Sequence, residues 1–357
     1  MFTLRRKPRR LLGIDIGASS VKLLELSQTT GSSAPLYRVE AFAIEPLPPT
    51  TVVDSQISDV EDVGRTIKRA VGRSGSRTKQ AAVAVSGSAV ITKTIVLPAE
   101  LSDAEMEAQI QLEADQYIPY PLEEVNLDFD VLGSSARNPG MVDVLLAASR
   151  REYVDGRVAA LQIAGLQASI VDIEAYALEN AFVMLCRDPD DLNPDHTVAI
   201  ADVAANTTSL EVLRQGEIVY TREQNFGGNQ LLDDLQQRYG LNRDQALEQL
   251  QDDALPRDFA DSVLRPFADA LAQQLGRALQ FFHSATHLKR IDRLILTGGP
   301  AGIAGIDQPV RQRLSLPVVV ADPFAHMALA PGIDSRAIAH AAPSMMIATG
   351  LALRAFD

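Results

Sequence analysis

The chain has 357 residues, 46% of them hydrophobic and 22% charged, with a formal net charge of −13. This is the composition of a folded globular protein and not a disordered one, its length calls for about two or three domains, and its acidity excludes general nucleic-acid binding, since no positive field would draw in the backbone. No stretch reaches the roughly 18 uninterrupted apolar residues that span a bilayer, and the single cysteine, Cys186, permits no internal disulfide, as expected in a reducing cytoplasm.

The chain opens on Arg5, Arg6, Lys7, Arg9 and Arg10, a basic lead that either touches an anionic lipid or acidic partner or forms a solvated tail. The apolar stretch after it contains Asp15 within a few residues, so it does not read as a secretory signal. Leu11 to Ser27, LLGIDIGASSVKLLELS, reads as a buried strand ending near Asp15, a turn of Gly17, Ala18, Ser19 and Ser20, and a second strand carrying Val21, Leu23 and Leu26. A turn of glycine and small side chains leaves successive N–H groups open to an anion such as phosphate. An aspartate at that mouth would repel phosphates unless it held Mg²⁺, usually through water, and Lys22 supplies a compensating positive charge. The spacing matches neither the P-loop nor the dinucleotide fingerprint.

A Pro-rich turn, Glu45 to Thr51, precedes a helix predicted near Ser58 to Arg73 from the spacing of Val60, Val63, Ile67 and Val71. Strands follow at Ala81 to Ser86 and Ile91 to Leu97. At Pro98 the pattern changes. Ser102 and Glu105 have capping-box spacing, and Met106, Ile110 and Ala114 form the apolar stripe of a helix that must stop near Ile118, because Pro119 and Pro121 flank Tyr120. Strands near Val125 to Leu132 and Met141 to Ala147, then a helix from Arg150 to Ala164, complete a small α+β insert over residues 98–164. Such an insert either carries partner specificity or serves as a stabilising lid.

The α/β pattern resumes with a strand at Ala168 to Asp172, a helix at Ile173 to Cys186 and a polar linker, Arg187 to Asp195. Val198 to Leu213, VAIADVAANTTSLEVL, then repeats the opening stretch. Counting from Asp15 and Asp202, Ile16 matches Val203, Ser19 and Ser20 match Asn206 and Thr207, and Leu23 and Leu26 match Leu210 and Leu213. The chain therefore looks internally duplicated. After a strand at Glu217 to Arg222, Phe226-Gly227-Gly228 introduces helices, the longest expected from about Asp258 to Thr286 with a kink or break at Pro266. Arg277 and Gln280 lie one turn apart on one face of it. A strand at Arg293 to Thr297 ends in Gly298-Gly299-Pro300, which permits either the approach of a flat ligand or a sharp turn. In the final helix, Pro343 to Ala355, the small residues Ser344, Ala348 and Gly350 would let it cross another helix closely at a hinge between two halves.

In this order, DIGASSVK (Asp15 to Lys22), VDIEAYALENA (Val171 to Ala181), the Asp202 hairpin, LTGGP (Leu296 to Pro300) and the small-residue terminal helix resemble the actin-like ATPase superfamily. EADQYIPYPLEEVNLDFDVL (Glu113 to Leu132), YTREQNFGG (Tyr220 to Gly228) and LQFFHS (Leu279 to Ser284) narrow the resemblance to the PilM family of type IV pilus assembly proteins, relatives of the cell-division protein FtsA, over essentially the whole chain from Leu11. The resemblance implies an α/β actin-like fold, two duplicated halves around a nucleotide cleft. Half I (1A) would comprise residues 11–97, 165–190 and 343–357, with 98–164 as an inserted 1C subdomain. Half II would comprise 196–342 (2A, with a helical 2B at about 226–291), and residues 1–10 a basic tail.

It implies ATP and Mg²⁺ as cofactors, with Asp15 and Asp202 positioning the metal. Gly17, Ala18, Ser19, Ser20 and Lys22, and across the cleft Ala205, Asn206 and Thr207, would face phosphates. Gly298 and Gly299 would pass beside adenosine, and Arg277 and Gln280 would lie on its adenine and ribose side. One departure stands out: the superfamily's second phosphate loop is often D-x-G-G-G-T, whereas here it is Asp202-Val-Ala-Ala-Asn-Thr-Thr. Alanines restrict backbone approach, so hydrolysis is expected to be slow or absent while binding is kept. The implied partner is the short cytoplasmic tail of PilN, an inner-membrane protein, together with other pilus assembly proteins and self-association. The chain would then be cytoplasmic and reach the membrane only through its partner. Glu113, Tyr117, Ile118 and Tyr120 are expected to border the tail's groove, although ordinary core packing accounts nearly as well for Ile118 and Tyr120. Two alternatives share the fold: a sugar or acid kinase with an unassigned carboxylate as general base, and an FtsA-like division protein. FtsA-type chains typically end in a membrane-binding amphipathic helix, whereas this sequence ends at Arg354 to Asp357 after its small-residue helix.

Overall fold

The computed structural model describes residues 10–28, 36–185, 193, 195–251, 254–288 and 290–357. The basic lead before Arg10, Cys186 and most of the expected 187–195 linker lie outside them. Strand β1 (Leu12–Ile16) is buried throughout and pairs antiparallel with β2 (Ser20–Gln28), which pairs with β3 (Tyr37–Pro46). A small hairpin, β4 (Val52–Val53) and β5 (Gln56–Ile57), leads into α1 (Val60–Ser74). That helix starts where the Asp59 carboxylate accepts from the Asp62 N–H and stops at Gly75, whose φ of 70° is the left-handed helix stop. β6 (Gln80–Val85) joins β1 in parallel.

Next come β7 (Val90–Pro98), α2 (Asp103–Ala114), β8 (Val125–Ser134) and β9 (Met141–Arg150), a separate three-stranded layer of order β7-β9-β8. Its core joins Ile95, Leu97, Met106, Ile110, Val144 and Leu146. α3 (Arg151–Ile163) and β10 (Gln167–Ile173) return to the first sheet, and α4 (Glu174–Leu185) follows.

The second half holds β11 (Thr197–Val203), β12 (Thr208–Arg214), β13 (Glu217–Gln224), α5 (Gly228–Tyr239) and α6 (Arg243–Gln251). It continues with α7 (Arg265–Ala285), β14 (Arg293–Thr297), α8 (Asp307–Leu314) and β15 (Val318–Val320). The chain ends with β16 (Ala328–Leu329), α9 (Ser335–Ala341) and α10 (Met346–Leu353). The duplication seen in the sequence is present in the topology. The run β10-β6-β1-β2-β3 of the first sheet has the same order and strand directions as β15-β14-β11-β12-β13 in the second. α4 and α10 cross where the halves meet, so closely that a Cβ on Gly350 would lie 1.7 Å from the Ala177 carbonyl oxygen.

Packing moves three of the expected boundaries. β7 pairs with β9, so the inserted layer begins at Val90 and not at residue 98, while α3 leaves it: Ala160, Leu161 and Ala164 pack with Val63 and Ile67 in the core of the first half. At the other end the chain rejoins that half before residue 343, because Phe324, Met327 and Ile338 pack with Leu24, Leu26 and Tyr37, and β16 pairs with β3. The long helix starts where the sequence places it, with the Ser262 N–H donating to Asp258 O, and passes through a π-type turn over Ala260–Leu264 directly into α7, so the expected distortion falls in the turn just before Pro266.

Candidate functional site

Each half presents an aspartate at the end of its central strand. In register, Asp15 faces Lys22 and Asp202 faces Ser209. The turns close identically: the Gly17 N–H donates to the Ser20 carbonyl at 3.0 Å and the Ala204 N–H to the Thr207 carbonyl at 2.9 Å. Asp15 is buried, and its Oδ2 accepts from Lys22 Nζ at 2.7 Å. Burial works against the Lys22 charge, but the Asp15 charge and hydrogen bond, followed by Asp202 and Glu174, hold the ammonium above the ordinary lysine value. Burial pushes the Asp202 carboxyl up to about 6, with Lys22 pulling it down and Asp15 pushing it further up. One lysine thus serves two carboxylates that approach each other from opposite halves.

The carbonyl side of each turn is tied from outside. The Leu47 N–H donates to Ser19 O at 2.9 Å. At the second turn, the Gly228 and Asn229 N–H groups donate to Ala204 O and Ala205 O, both at 2.8 Å, and Asn229 Nδ2 donates to Asn206 Oδ1 at 2.6 Å. Only glycine fits at 227, where a Cβ would stand 2.6 Å from the Ala205 carbonyl oxygen. The start of α5 therefore fixes the second turn.

Gly298 and Gly299 play different parts. Gly298 has φ 97° and its Cβ would fall 2.1 Å from Val203 O, while its N–H donates to Pro343 O at 2.8 Å. It bolts β14 to β11 and to the segment entering α10. Beside Gly299 the space is open: apart from its own chain neighbours, no atom lies within 4 Å of where a Cβ would stand.

Arg277 and Gln280 are not brought to this site. α7 buries Leu271, Leu275 and Leu279 against Ala199, Ala201 and Val203, the face of β11 opposite to Val198, Ile200 and hence Asp202, and both polar residues stand exposed on its outer side. The segment near the loop after Pro300 is instead Leu264 and Arg265, which line a hollow of about 180 Å³ with Ala304, Gly305, Gln308 and Pro309.

Two carboxylates escaped the sequence reading. Glu174, the first residue of α4, is pushed up to about 8 by burial and then by Asp15, against the pull of Arg157. Glu211 on β12 is 5% exposed and also pushed up to about 8, chiefly by burial. With Asp202 they lie along a cavity of about 470 Å³ between β7 and β13. The signal for Glu211 was present: it is the one acid in the apolar run SLEVL. Arg157, 1% exposed, was missed as well; it donates to the carbonyls of Ala84 (2.6 Å), Tyr153 (2.9 Å) and Ser55 (3.2 Å), fastening α3 to the end of β6.

Of the expected groove residues, Ile118 is core, packed with Ala114, Val125 and Ala148, and Glu113 accepts from Gln109 Nε2 at 2.9 Å within α2. Tyr117 and Tyr120 are exposed, with Lys93 Nζ 5.5 Å from the first ring and the Arg150 guanidinium 5.4 Å from the second. Lys93 also lines the cavity and so connects Tyr117 to it. Among the described residues no group of three or more His, Cys, Asp or Glu could hold a metal by itself. Asp15 and Asp202 supply two carboxylates, so a cation placed between them would need further donors from water or a ligand.

The family model described as type IV pilus assembly protein PilM matches residues 13–356. Among solved structures, the chain is similar to one in a PilM–PilN type IV pilus biogenesis complex, with 28% identity over 98% of this chain and 100% of that one and a TM-score of 0.79. It also shares its fold with the ethanolamine utilization protein EutJ from Carboxydothermus hydrogenoformans, with 16% identity over 98% of this chain and 90% of that one and a TM-score of 0.59. The fold is that of the actin-like ATPases. The chain belongs to the PilM family of type IV pilus assembly proteins.

Proposed function

From this membership we propose that the chain is an ATP-binding scaffold of type IV pilus assembly that holds the short cytoplasmic tail of a PilN-like inner-membrane protein. The observation that carries the proposal is the similarity, at 28% identity over 98% of this chain and 100% of the other, to the chain in the PilM–PilN complex. Mg-ATP would lie between the two hairpins, its phosphates on the turns at Gly17 to Ser20 and Ala205 to Thr207, its metal between Asp15 and Asp202, and its adenosine passing Gly299. Hydrolysis would be slow, because alanines 204 and 205 stand where glycines would give the backbone freedom and their carbonyls are tied to α5. ATP bridging the halves would favour one relative position of them, and by linkage whichever position holds the tail better. The tail would run along the insert past Tyr117 and Tyr120. No helix among the described residues is long and apolar enough to cross a membrane, so membrane association would come through the partner.

The test is fluorescence anisotropy of a labelled peptide copying the cytoplasmic tail of the same organism's PilN-like protein, titrated with the chain with and without Mg-ATP. Saturable binding at micromolar or tighter affinity, shifted by nucleotide, is expected. A folded sample that binds the peptide in neither condition would sink the proposal.

A further inference from the structure

We infer that the cavity between β7 and β13 takes a lysine or arginine side chain of the partner tail, whose charged end meets Glu211 while the tail lies extended between the two strands. This rests on the tail-binding function proposed above and adds to it the chemistry of one contact and a second wall, on the other half of the molecule.

Three observations lead there. The first is an unanswered acceptor: Glu211 is 5% exposed, lines the cavity, and its Oε2 has no hydrogen-bond partner. A buried carboxylate oxygen without a donor costs roughly 1–3 kcal/mol, and a cation brought to it removes that cost. Secondly, the strand register puts the acids on one wall. Ser209 lies opposite both Asp202 and Glu223, and Glu211 lies opposite Ile200 and Thr221, so Asp202, Glu211 and Glu223 share one face of the second sheet. Glu174 lines the same cavity from α4. The two cations of the lining, Lys93 and Arg222, are engaged with aromatic rings, the Arg222 guanidinium 3.8 Å from the Phe281 ring and Lys93 near Tyr117. Lys22 answers Asp202 and Arg157 answers Glu174, so Glu211 is the buried acid of the lining left for an incoming positive charge.

The third observation is the shape of the walls. β7 ends the order β7-β9-β8 and β13 ends the order β13-β12-β11, so each turns the edge of a sheet toward the cavity. Edge strands offer unpaired backbone groups to an extended segment, which then aims alternate side chains to one side. A segment pairing with either edge can send one long basic side chain to Glu211. Arginine suits it better than lysine, because its planar fork meets a carboxylate with two hydrogen bonds. Because β7 belongs to the insert and β13 to the second half, such a segment would contact both.

The test is a mutant cycle read by tail-peptide anisotropy on the full chain. Each arginine of the peptide is replaced in turn by citrulline and each lysine by norleucine, and the protein carries Glu211→Gln or Thr221→Arg. Thr221 is an exposed residue on the edge strand, directly opposite Glu211, so the second variant tolerates folding and sets a guanidinium beside the carboxylate in place of the partner's. One peptide replacement is expected to weaken binding tenfold or more. Glu211→Gln and Thr221→Arg should each weaken the unmodified peptide by a similar factor, yet change the affinity of that one replaced peptide by less than twofold. If the unmodified peptide binds and every replacement and both variants stay within twofold, the inference is overturned and the scaffold function stands. If the unmodified peptide does not bind at all, both fall. Should Glu211→Gln fail to fold, Thr221→Arg decides alone.

Discussion

The Asp15 and Asp202 hairpins occupy equivalent places in two sheets of the same strand order, close on the same backbone hydrogen bond and end on the same side chain, yet the strand opposite them differs. Lys22 in the first hairpin becomes Ser209 in the second, and two positions on, Leu24, fully buried in an apolar core, becomes Glu211, buried beside a cavity. Leu24 shows what the architecture asks of that position: an apolar side chain. A carboxylate there adds nothing that the fold requires. One hairpin is therefore neutralised internally by an ion pair, and the other carries acid that only Lys22, reaching across from the first half, and an external cation can balance. The halves are alike as scaffolds and complementary in charge.

The harshest way to break the comparison is to remove the close approach that fixes the second hairpin. Gly298→Ala drives a Cβ into the Val203 carbonyl at a φ of 97° and should cost about 3 kcal/mol or prevent folding, while Gly299→Ala, one residue on, should cost less than about 1 kcal/mol in urea denaturation. The ion pair comes next. Lys22→Met leaves Asp15 buried without its partner and should destabilise the chain by about 2–3 kcal/mol, whereas the equivalent change in the second hairpin, Ser209→Ala, should stay within about 1 kcal/mol.

The smallest effect sharpens the comparison through pH. The Glu211 carboxyl titrates at about 8 in the folded chain, above the ordinary value of 4.5. As pH rises the unfolded chain gives up this proton first, so stability falls between about pH 4.5 and 8; below that window both states are protonated and nothing is lost. Glu211→Gln should therefore match the wild type near pH 4 and exceed it increasingly as pH rises toward 8, in thermal denaturation followed across that range. The equivalent residue, Leu24, cannot titrate, so Leu24→Met should shift stability equally at both pH values.

What was legible in the sequence was local. The aspartate hairpins and their duplication follow from strand periodicity and turn composition, both of which act over a few residues, and the crossing of α4 and α10 follows from small residues at Ala348 and Gly350. What was not legible depended on which distant surface an element meets. β7 reads the same whether it extends the first sheet or founds the insert, and only its pairing with β9 decides. α3 carries the same ambiguity until Ala160 and Leu161 are seen packed against α1. The misplacement of Arg277 and Gln280 was avoidable, since Leu271, Leu275, Ala278 and Phe282 mark the buried stripe of α7 and leave both polar residues on its far side. Glu174 was read only as part of the VDIEAYALENA run and Glu211 only as one acid among apolar residues; their shared meaning appears when folding brings both to the lining of one cavity.

The most direct measurement is a calorimetric titration of Mg-ATP into the wild-type chain, Asp15→Ala, Asp202→Ala and the double variant, each confirmed folded. If the hairpins jointly hold one Mg-nucleotide, the wild type shows one saturable site, each single variant loses tenfold or more in affinity, and the double variant loses much less than the product of the two. Equal affinities across all four proteins, or no heat of binding from the folded wild type, would contradict a shared nucleotide site between the two halves.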